Sequence, residues 1–333
     1  MRVGQNPAKS IEHVSKPREI TAAVIVYIPF LSGYYAQSMD VLNICLSSMR
    51  KHANIPYDLM VFDNASCLKV VDYLKDLQQA GQIQYLILSD KNIGKVGAWN
   101  FIFGASPGEF IAYADSDVYF YPEWISKHLE IFKAFPEVGT VSGLPRRGRR
   151  TFYHNTIQQG EEIANVKFEE GKFIPESWII DHARSLGKLD TVHEILELND
   201  YRFTRNNVSA FATATHFQFM VRRKTIQEFI PFPYNRPMGD SVAHFDHAIN
   251  NSNLLRLAVT ERVVKHMGNT LDEKSLSEFP PYLNQNITPE KRRYKNQLIF
   301  FMWKPVKWIL HRLYNWIFQI YYSSGFSLPR RRG

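Results

Sequence analysis

The feature that most restricts the fold is a set of short, apolar, largely unbroken runs, each stopped by a polar or kinking residue. Ala22-Ala23-Val24-Ile25-Val26-Tyr27-Ile28 stops at Pro29, Leu59-Met60-Val61-Phe62 at Asp63, and Phe110-Ile111-Ala112-Tyr113-Ala114 at Asp115. Runs of this length without polar alternation suit strands covered on both faces, the condition of a parallel sheet. Segments with helical spacing lie between them. Met39 to His52 carries a stripe of Val41, Leu42, Cys45, Leu46 and Met49, and Leu68 to Ala80 and Val96 to Gly104 are also helical. Ile83 to Leu88 reads as one more extended segment. This alternation predicts right-handed βαβ units and an α/β fold on a mainly parallel, Rossmann-like sheet. Ligands of such sheets bind beyond the carboxyl ends of the strands. Here those ends bring Pro29, Asp63 and Asp115-Ser116-Asp117 to one edge.

Further along, the pattern weakens. Between Pro145 and Arg205 the arginines 146, 147, 149 and 150 cluster, and a solvated loop is the preferred reading over a phosphate grip. Trp99, Trp178 and His182 are expected in packing rather than stacked on a sugar. Phe211 to Arg222 reads as extended, Val242 to Leu257 as helical, and Thr260 to His266 as a strand or loop. Residues 1–20 lack periodicity and read as a flexible arm.

Composition excludes several classes. A chain of 333 residues that is 45% hydrophobic and 14% aromatic is too apolar for a disordered protein. Cys45 and Cys67 cannot build a disulfide framework or, alone, a zinc site. The opening residues carry no apolar signal core, and no run of 18 uncharged apolar residues suggests a spanning helix, so a cytoplasmic protein is expected. The net charge of +8 is uneven: ten Lys and Arg and no acid fall at 291–333, which leaves the rest near neutral. A basic attachment segment fits this distribution better than a uniformly basic, nucleic-acid-binding surface.

Asp115-Ser116-Asp117 carries the strongest chemical signal. Alternation in an extended segment places the two carboxylates on one side of the chain. Such a pair can hold a hard divalent cation and leave positions for phosphate oxygens. A solvated turn is the plain alternative, weakened by the buried strand that precedes it.

Taken in order, Val24-Ile25-Val26 leading to Pro29, Val61-Phe62-Asp63-Asn64-Ala65-Ser66, Asn92-Ile93-Gly94 followed by Asn100, and Ala114-Asp115-Ser116-Asp117 resemble the family 2 glycosyltransferases over about residues 20–270. The resemblance implies a GT-A fold and a nucleotide-sugar donor, with a UDP-sugar favoured. It implies that the region of Pro29 lines the base pocket and that Asp63 accepts hydrogen bonds from base or ribose. Asn92, Gly94 and Asn100 would face the donor, Asp115 would lie near ribose and metal, and Asp117 would bind the metal directly. His266 matches the late histidine that completes many such sites and tilts the choice between Mn²⁺ and Mg²⁺ toward Mn²⁺. Asp63 to Ser66 can equally cap the helix that follows, and Asn92 and Asn100 can be plain turn and surface residues.

An inverting transfer needs a base for the acceptor hydroxyl. The family's acidic pair is missing from Met238-Gly239-Asp240-Ser241-Val242-Ala243-His244-Phe245-Asp246-His247, a departure from its pattern. Asp246 is the first choice and Asp240 the second, with His244 and His247 still open. Toward the end, Lys307, His311, Asn315 and Gln319 form a narrow polar stripe beside Trp308, Leu313, Trp316 and other apolar residues, with Arg312 on the same helix. An apolar face bracketed by Lys and Arg clusters suits a helix lying on an anionic membrane. Docking on the body and a dimer contact are the alternatives.

The expected layout is an arm at 1–20, a donor half at 21–145, an acceptor and catalytic half of the same domain at 146–290, and an amphipathic membrane-associating tail at 291–333. The expected activity is metal-dependent inverting sugar transfer to a lipid-linked or cell-envelope glycan, peripheral on the inner face of the plasma membrane. Two other readings are an inactive GT-A-like membrane-binding module and a nucleotidyltransferase, the latter disfavoured because no Gly- and Lys/Arg-rich phosphate loop follows the first strand.

Overall fold

A computed structural model describes residues 14–233 and 241–271, together with Arg312, Leu313 and Trp316. In chain order its elements are β1 (Ile20–Val26), α1 (Ser38–Lys51), β2 (Asp58–Asn64), α2 (Leu68–Gln79), β3 (Tyr85–Ser89), α3 (Gly94–Ala105) and β4 (Phe110–Asp115). They continue with β5 (Val118–Phe120), α4 (Trp124–Ala134), β6 (Val138–Ser142), α5 (His154–Glu162), β7 (Lys167–Gly171), α6 (Glu176–Ser185), α7 (Val192–Leu196) and β8 (Asp200–Arg205). The last described are β9 (Val208–Phe211), β10 (Gln218–Arg222), α8 (Arg223–Gln227), α9 (Ser241–Asn251), β11 (Leu255–Ala258) and β12 (Val264–His266).

The main sheet runs β3-β2-β1-β4-β10-β6-β11-β9-β8-β7. Strands β3, β2, β1 and β4 are mutually parallel, as the apolar runs require. β10 enters antiparallel between β4 and β6, and β7, β8 and β9 extend the sheet as an antiparallel meander. β1 shows why its run is unbroken: Ala22, Val24 and Val26 belong to one core, with α1, α2 and α4, while Ala23 and Ile25 belong to another, with α3 and α9. Alternate side chains feed opposite apolar layers, so neither face is polar.

Three segments differ from their sequence reading. The run from Phe211 to Arg222 is broken between β9 and β10. The helix opening near Val242 stops at Asn251, and the apolar residues beyond it form β11. Asn253 turns left-handed at φ +54°, which ends the helix, and a short apolar run cannot by itself distinguish helix from strand. The stretch from Pro145 to Arg205 is ordered rather than a loose loop. Arg147 is buried and makes a two-pronged pair with Asp200 at 2.8 Å to each oxygen, and it also donates to the carbonyls of Leu196 and Ile174 at 3.1 Å. Asp200 additionally accepts the N–H groups of Phe173 and Ile174 at 2.7 Å. Arg150 lies against Phe168 and Tyr201 and pairs with Glu170, so two of the four clustered arginines are structural.

The chain divides into two units, Met1–Gln285 and Asn286–Gly333. In the second, Arg312, Leu313 and Trp316 are helical and exposed, and Lys307 and Trp308 lie outside the described residues.

Candidate active site

Three loops at the carboxyl ends of the parallel strands are tied to one another. Beyond β1, the Ile28 N–H donates to Ser66 Oγ at 3.0 Å and the Ile28 carbonyl accepts the Cys67 N–H at 2.9 Å. This fixes half-buried Pro29 beside the end of β2. Asp63 stands opposite Val26 in the parallel register. Its Oδ2 accepts the Ser66 N–H at 3.2 Å, while its Oδ1 is buried with no partner. Burial pushes the Asp63 carboxyl up from its ordinary value despite the local N–H and hydroxyl donors that favour its charge.

The next loop is locked by two asparagines. Asn64 donates to Asn92 Oδ1 at 2.9 Å and accepts the Ile93 N–H at 2.9 Å, and Asn92 Oδ1 also takes the Gly94 N–H at 2.8 Å. Gly94 opens α3 at φ +74°, a left-handed conformation that favours glycine. Asn92 thus shapes this turn with its side chain. Asn100 bonds to both the carbonyl and the N–H of Phe232, at 2.9 and 2.8 Å, and clamps the segment after α8 onto α3. Trp99 is fully buried among Tyr113, Phe219 and Phe245.

At the end of β4, Asp115 is engaged on both oxygens. Lys95 Nζ lies 2.7 Å from Oδ2, and the Tyr113 hydroxyl donates to Oδ1. Lys95 also sits over the rings of Trp99 and Tyr113 at 5.5 and 5.4 Å. Sequence reading missed Lys95; a cation in the first turn of a helix facing the strand-end acids was the available signal.

Asp117 follows, placed by the pairing of β5 with β12, which sets Val118 opposite His266. The Asp117 carbonyl accepts the Met267 N–H at 2.8 Å, and His266 Nε2 lies 3.2 Å from Asp117 Oδ2. Asp117 Oδ1 is buried without a partner. Burial opposes the Asp117 charge, but His266 and Lys95 more than offset it and hold the carboxyl below its ordinary value. His266 is correspondingly raised, because Asp117 outweighs the effect of burial. The two residues border a cavity of about 510 Å³, together with Tyr34, Asp181, Arg184 and Ser185. Asn269 donates to the Tyr34 carbonyl at 2.7 Å and closes one wall.

The donor set suits a borderline divalent cation. A carboxylate with one oxygen lacking any partner lies beside an imidazole nitrogen, on two backbone segments held in register. Among the described residues no group of three His, Cys, Asp or Glu side chains could enclose a metal alone. Asp117 and His266 could supply only part of a coordination shell, one that substrate phosphates would have to complete.

Asp246, on α9, lies in a different network. Its Oδ1 meets His216 Nε2 at 2.8 Å and its Oδ2 meets Arg256 Nη1 at 2.5 Å. Burial opposes its charge, but these partners hold the carboxyl below its ordinary value. His216 precedes Phe217, whose carbonyl accepts the Asp115 N–H at 2.7 Å, so the network adjoins the strand edge. Asp240 lies outside the described residues, and His244 and His247 are exposed.

Asp63, Asp115 and Asp117, with the loops tied around them, thus line the carboxyl edge of the parallel part of an α/β sheet. Residues 34–188 match the model of glycosyl transferase family 2. An uncharacterized glycosyltransferase of Nostoc sp. is 23% identical over 199 residues, which are 57% of this chain and 59% of the relative. Two solved structures are similar at low identity. The mannosyltransferase PcManGT of Pyrobaculum calidifontis, in complex with GDP-Man and Mn²⁺, is 15% identical with a TM-score of 0.44. That match covers 75% of this chain and 56% of the other. S. aureus TarS 1–349 in complex with UDP is 13% identical with a TM-score of 0.46, covering 81% of this chain and 67% of the other. The chain thus spans less than two thirds of the Nostoc relative and of the mannosyltransferase.

Proposed function

We propose that the chain is a metal-dependent inverting glycosyltransferase that moves a sugar from a nucleotide-sugar, with a UDP-sugar favoured, to a lipid-linked or cell-envelope glycan. One observation carries this reading. Two buried carboxylate oxygens, Asp63 Oδ1 and Asp117 Oδ1, lack partners at strand ends on either side of β1. Buried polar atoms are normally satisfied, and two orphans at one edge suit a ligand that supplies a donor group to one and a cation to the other.

In this reading Asp63 accepts a hydrogen bond from the base or ribose, in a pocket bordered by Pro29. The Asn92–Gly94 turn and the start of α3 form the donor-facing wall, with Asn100 holding α3 against the segment after α8. Lys95 pairs with Asp115 and orients it toward the ribose and metal side. Asp117 and His266 would hold Mn²⁺ or Mg²⁺, which supplies charge neutralisation for the departing nucleoside diphosphate. The acceptor hydroxyl passes its proton to a carboxylate at or before α9. Asp246, tied to Arg256 and His216, is the first choice for this base and Asp240 the second. The basic tail with Lys307, Trp308, Arg312 and Trp316 is assigned to an anionic membrane surface on the cytoplasmic side, where lipid-linked acceptors lie. Among the described residues no helix is long and apolar enough to cross a membrane.

Thermal shift with UDP, GDP and their sugar conjugates, with and without Mn²⁺, tests the donor assignment. A melting temperature raised by a nucleotide-sugar and raised further by Mn²⁺ is expected. No shift with any of them contradicts it.

A further inference from the structure

α6 belongs to the stretch where sequence periodicity is weakest, and the mechanism above assigns it nothing. Its last turn nonetheless meets His266 in two ways. Ser185 Oγ lies 2.9 Å from His266 Nδ1, and the His182 ring packs edge-on to the His266 ring at 5.7 Å. His182 and Ser185 are three apart and share one helix face. Ser185 Oγ also donates to the His182 carbonyl at 2.8 Å, so its proton is already committed. Toward His266 the hydroxyl can act only as an acceptor, which places the imidazole proton on Nδ1. In neutral imidazole the lone pair is then on Nε2, the nitrogen that faces Asp117.

The contact is also fixed from the backbone. Gly268 adopts φ +77°, and a Cβ there would lie 2.8 Å from the Ser185 carbonyl oxygen. The end of α6 therefore sits directly on the chain two residues past His266, with no room for a side chain at Gly268. Phe217 closes another side of the His266 ring at 5.2 Å.

We propose that Ser185 is a positioning residue for the metal site: it holds His266 in the tautomer and ring orientation that present Nε2 to a divalent cation shared with Asp117. His182 is a half-buried wedge that keeps the ring from rotating. Histidine ligands commonly need such an outer partner, and its loss costs metal affinity about 10- to 100-fold. This inference rests on the metal assignment for Asp117 and His266.

The test is calorimetric titration of UDP and of GDP into the full chain, with and without Mn²⁺, for wild type, Ser185→Ala and Ser185→Thr. In wild type, Mn²⁺ is expected to tighten binding of at least one nucleotide. Ser185→Ala should lose about ten-fold or more of that gain, and Ser185→Thr, which restores a hydroxyl, should recover most of it. An undiminished Mn²⁺ gain in Ser185→Ala, in a variant that melts as wild type does, overturns the role of Ser185 and leaves the metal assignment standing. Nucleotide binding with no Mn²⁺ gain in wild type overturns the metal assignment and this inference with it. No nucleotide binding in wild type overturns the donor assignment as well.

Discussion

Asp63 is the residue at which folding and ligand binding pull against each other. Its raised carboxyl means that the folded state keeps a proton that the unfolded chain has already released. Stability from this group therefore declines as pH rises from the ordinary value of 3.8 through the raised folded value. Asp63→Asn is expected to melt higher than wild type at pH 7, to lose most of that advantage near pH 4, and to bind nucleotide more weakly. Scanning fluorimetry at the two pH values, paired with a nucleotide titration, checks both halves. Asp63 and Asp117 were legible in the sequence because each ends or follows an apolar run whose length dictates a buried strand, whereas His266 was marked only by the resemblance to family 2 glycosyltransferases. Lys95 and Ser185 were not, since their positions depend on how α3 and α6 pack on other elements. The Asp246 network was hidden for the same reason: His216 lies 30 residues away, and both it and Arg256 meet Asp246 only through the packing of α9 on the sheet.

At the scale of elements, the parallel strands β1, β2 and β4 could be read directly, because strands buried on both faces leave uninterrupted apolar runs. The meander of β7, β8 and β9 could not. It is organised around the Arg147–Asp200 pair, whose partners lie 53 residues apart. Removing one member of a fully buried pair leaves an unpaired charge, so Asp200→Ala is expected to cost about 3–5 kcal/mol in urea denaturation. The double variant Arg147→Met with Asp200→Leu should cost less than Asp200→Ala alone, and equal or greater loss would show that the charges themselves stabilise this half. α9 is fastened to β11 by Asp246 and Arg256. Asp246→Asn should lose about 2 kcal/mol at pH 7. Because the folded carboxyl is depressed, that contribution is complete above the ordinary value of 3.8 and disappears as pH falls through the lower folded value. Denaturation at pH 7 and at pH 3 should show the difference between variant and wild type narrowing.

At the scale of the whole molecule, the charge is unevenly distributed along the sequence. The chain carries +8 overall, yet residues before Lys291 hold slightly more acids than bases, and the excess lies in the last 43 residues. Binding to vesicles containing phosphatidylserine should accordingly weaken as salt is raised from 0.05 to 0.5 M, on the order of ten-fold or more, as screening shortens the reach of surface charge. Salt-independent binding, or equal binding to neutral vesicles, would count against an electrostatic role for the tail. The central claim is that the strand edge around Asp63, Asp117 and His266 performs metal-assisted sugar transfer. Release of nucleoside diphosphate from a panel of nucleotide-sugars, with and without Mn²⁺, in wild type and Asp117→Ala, tests it most directly. The account predicts release that requires the metal and falls about 100-fold or more in Asp117→Ala. Release at wild-type rates by a folded Asp117→Ala, or release indifferent to chelation of the metal, would contradict it.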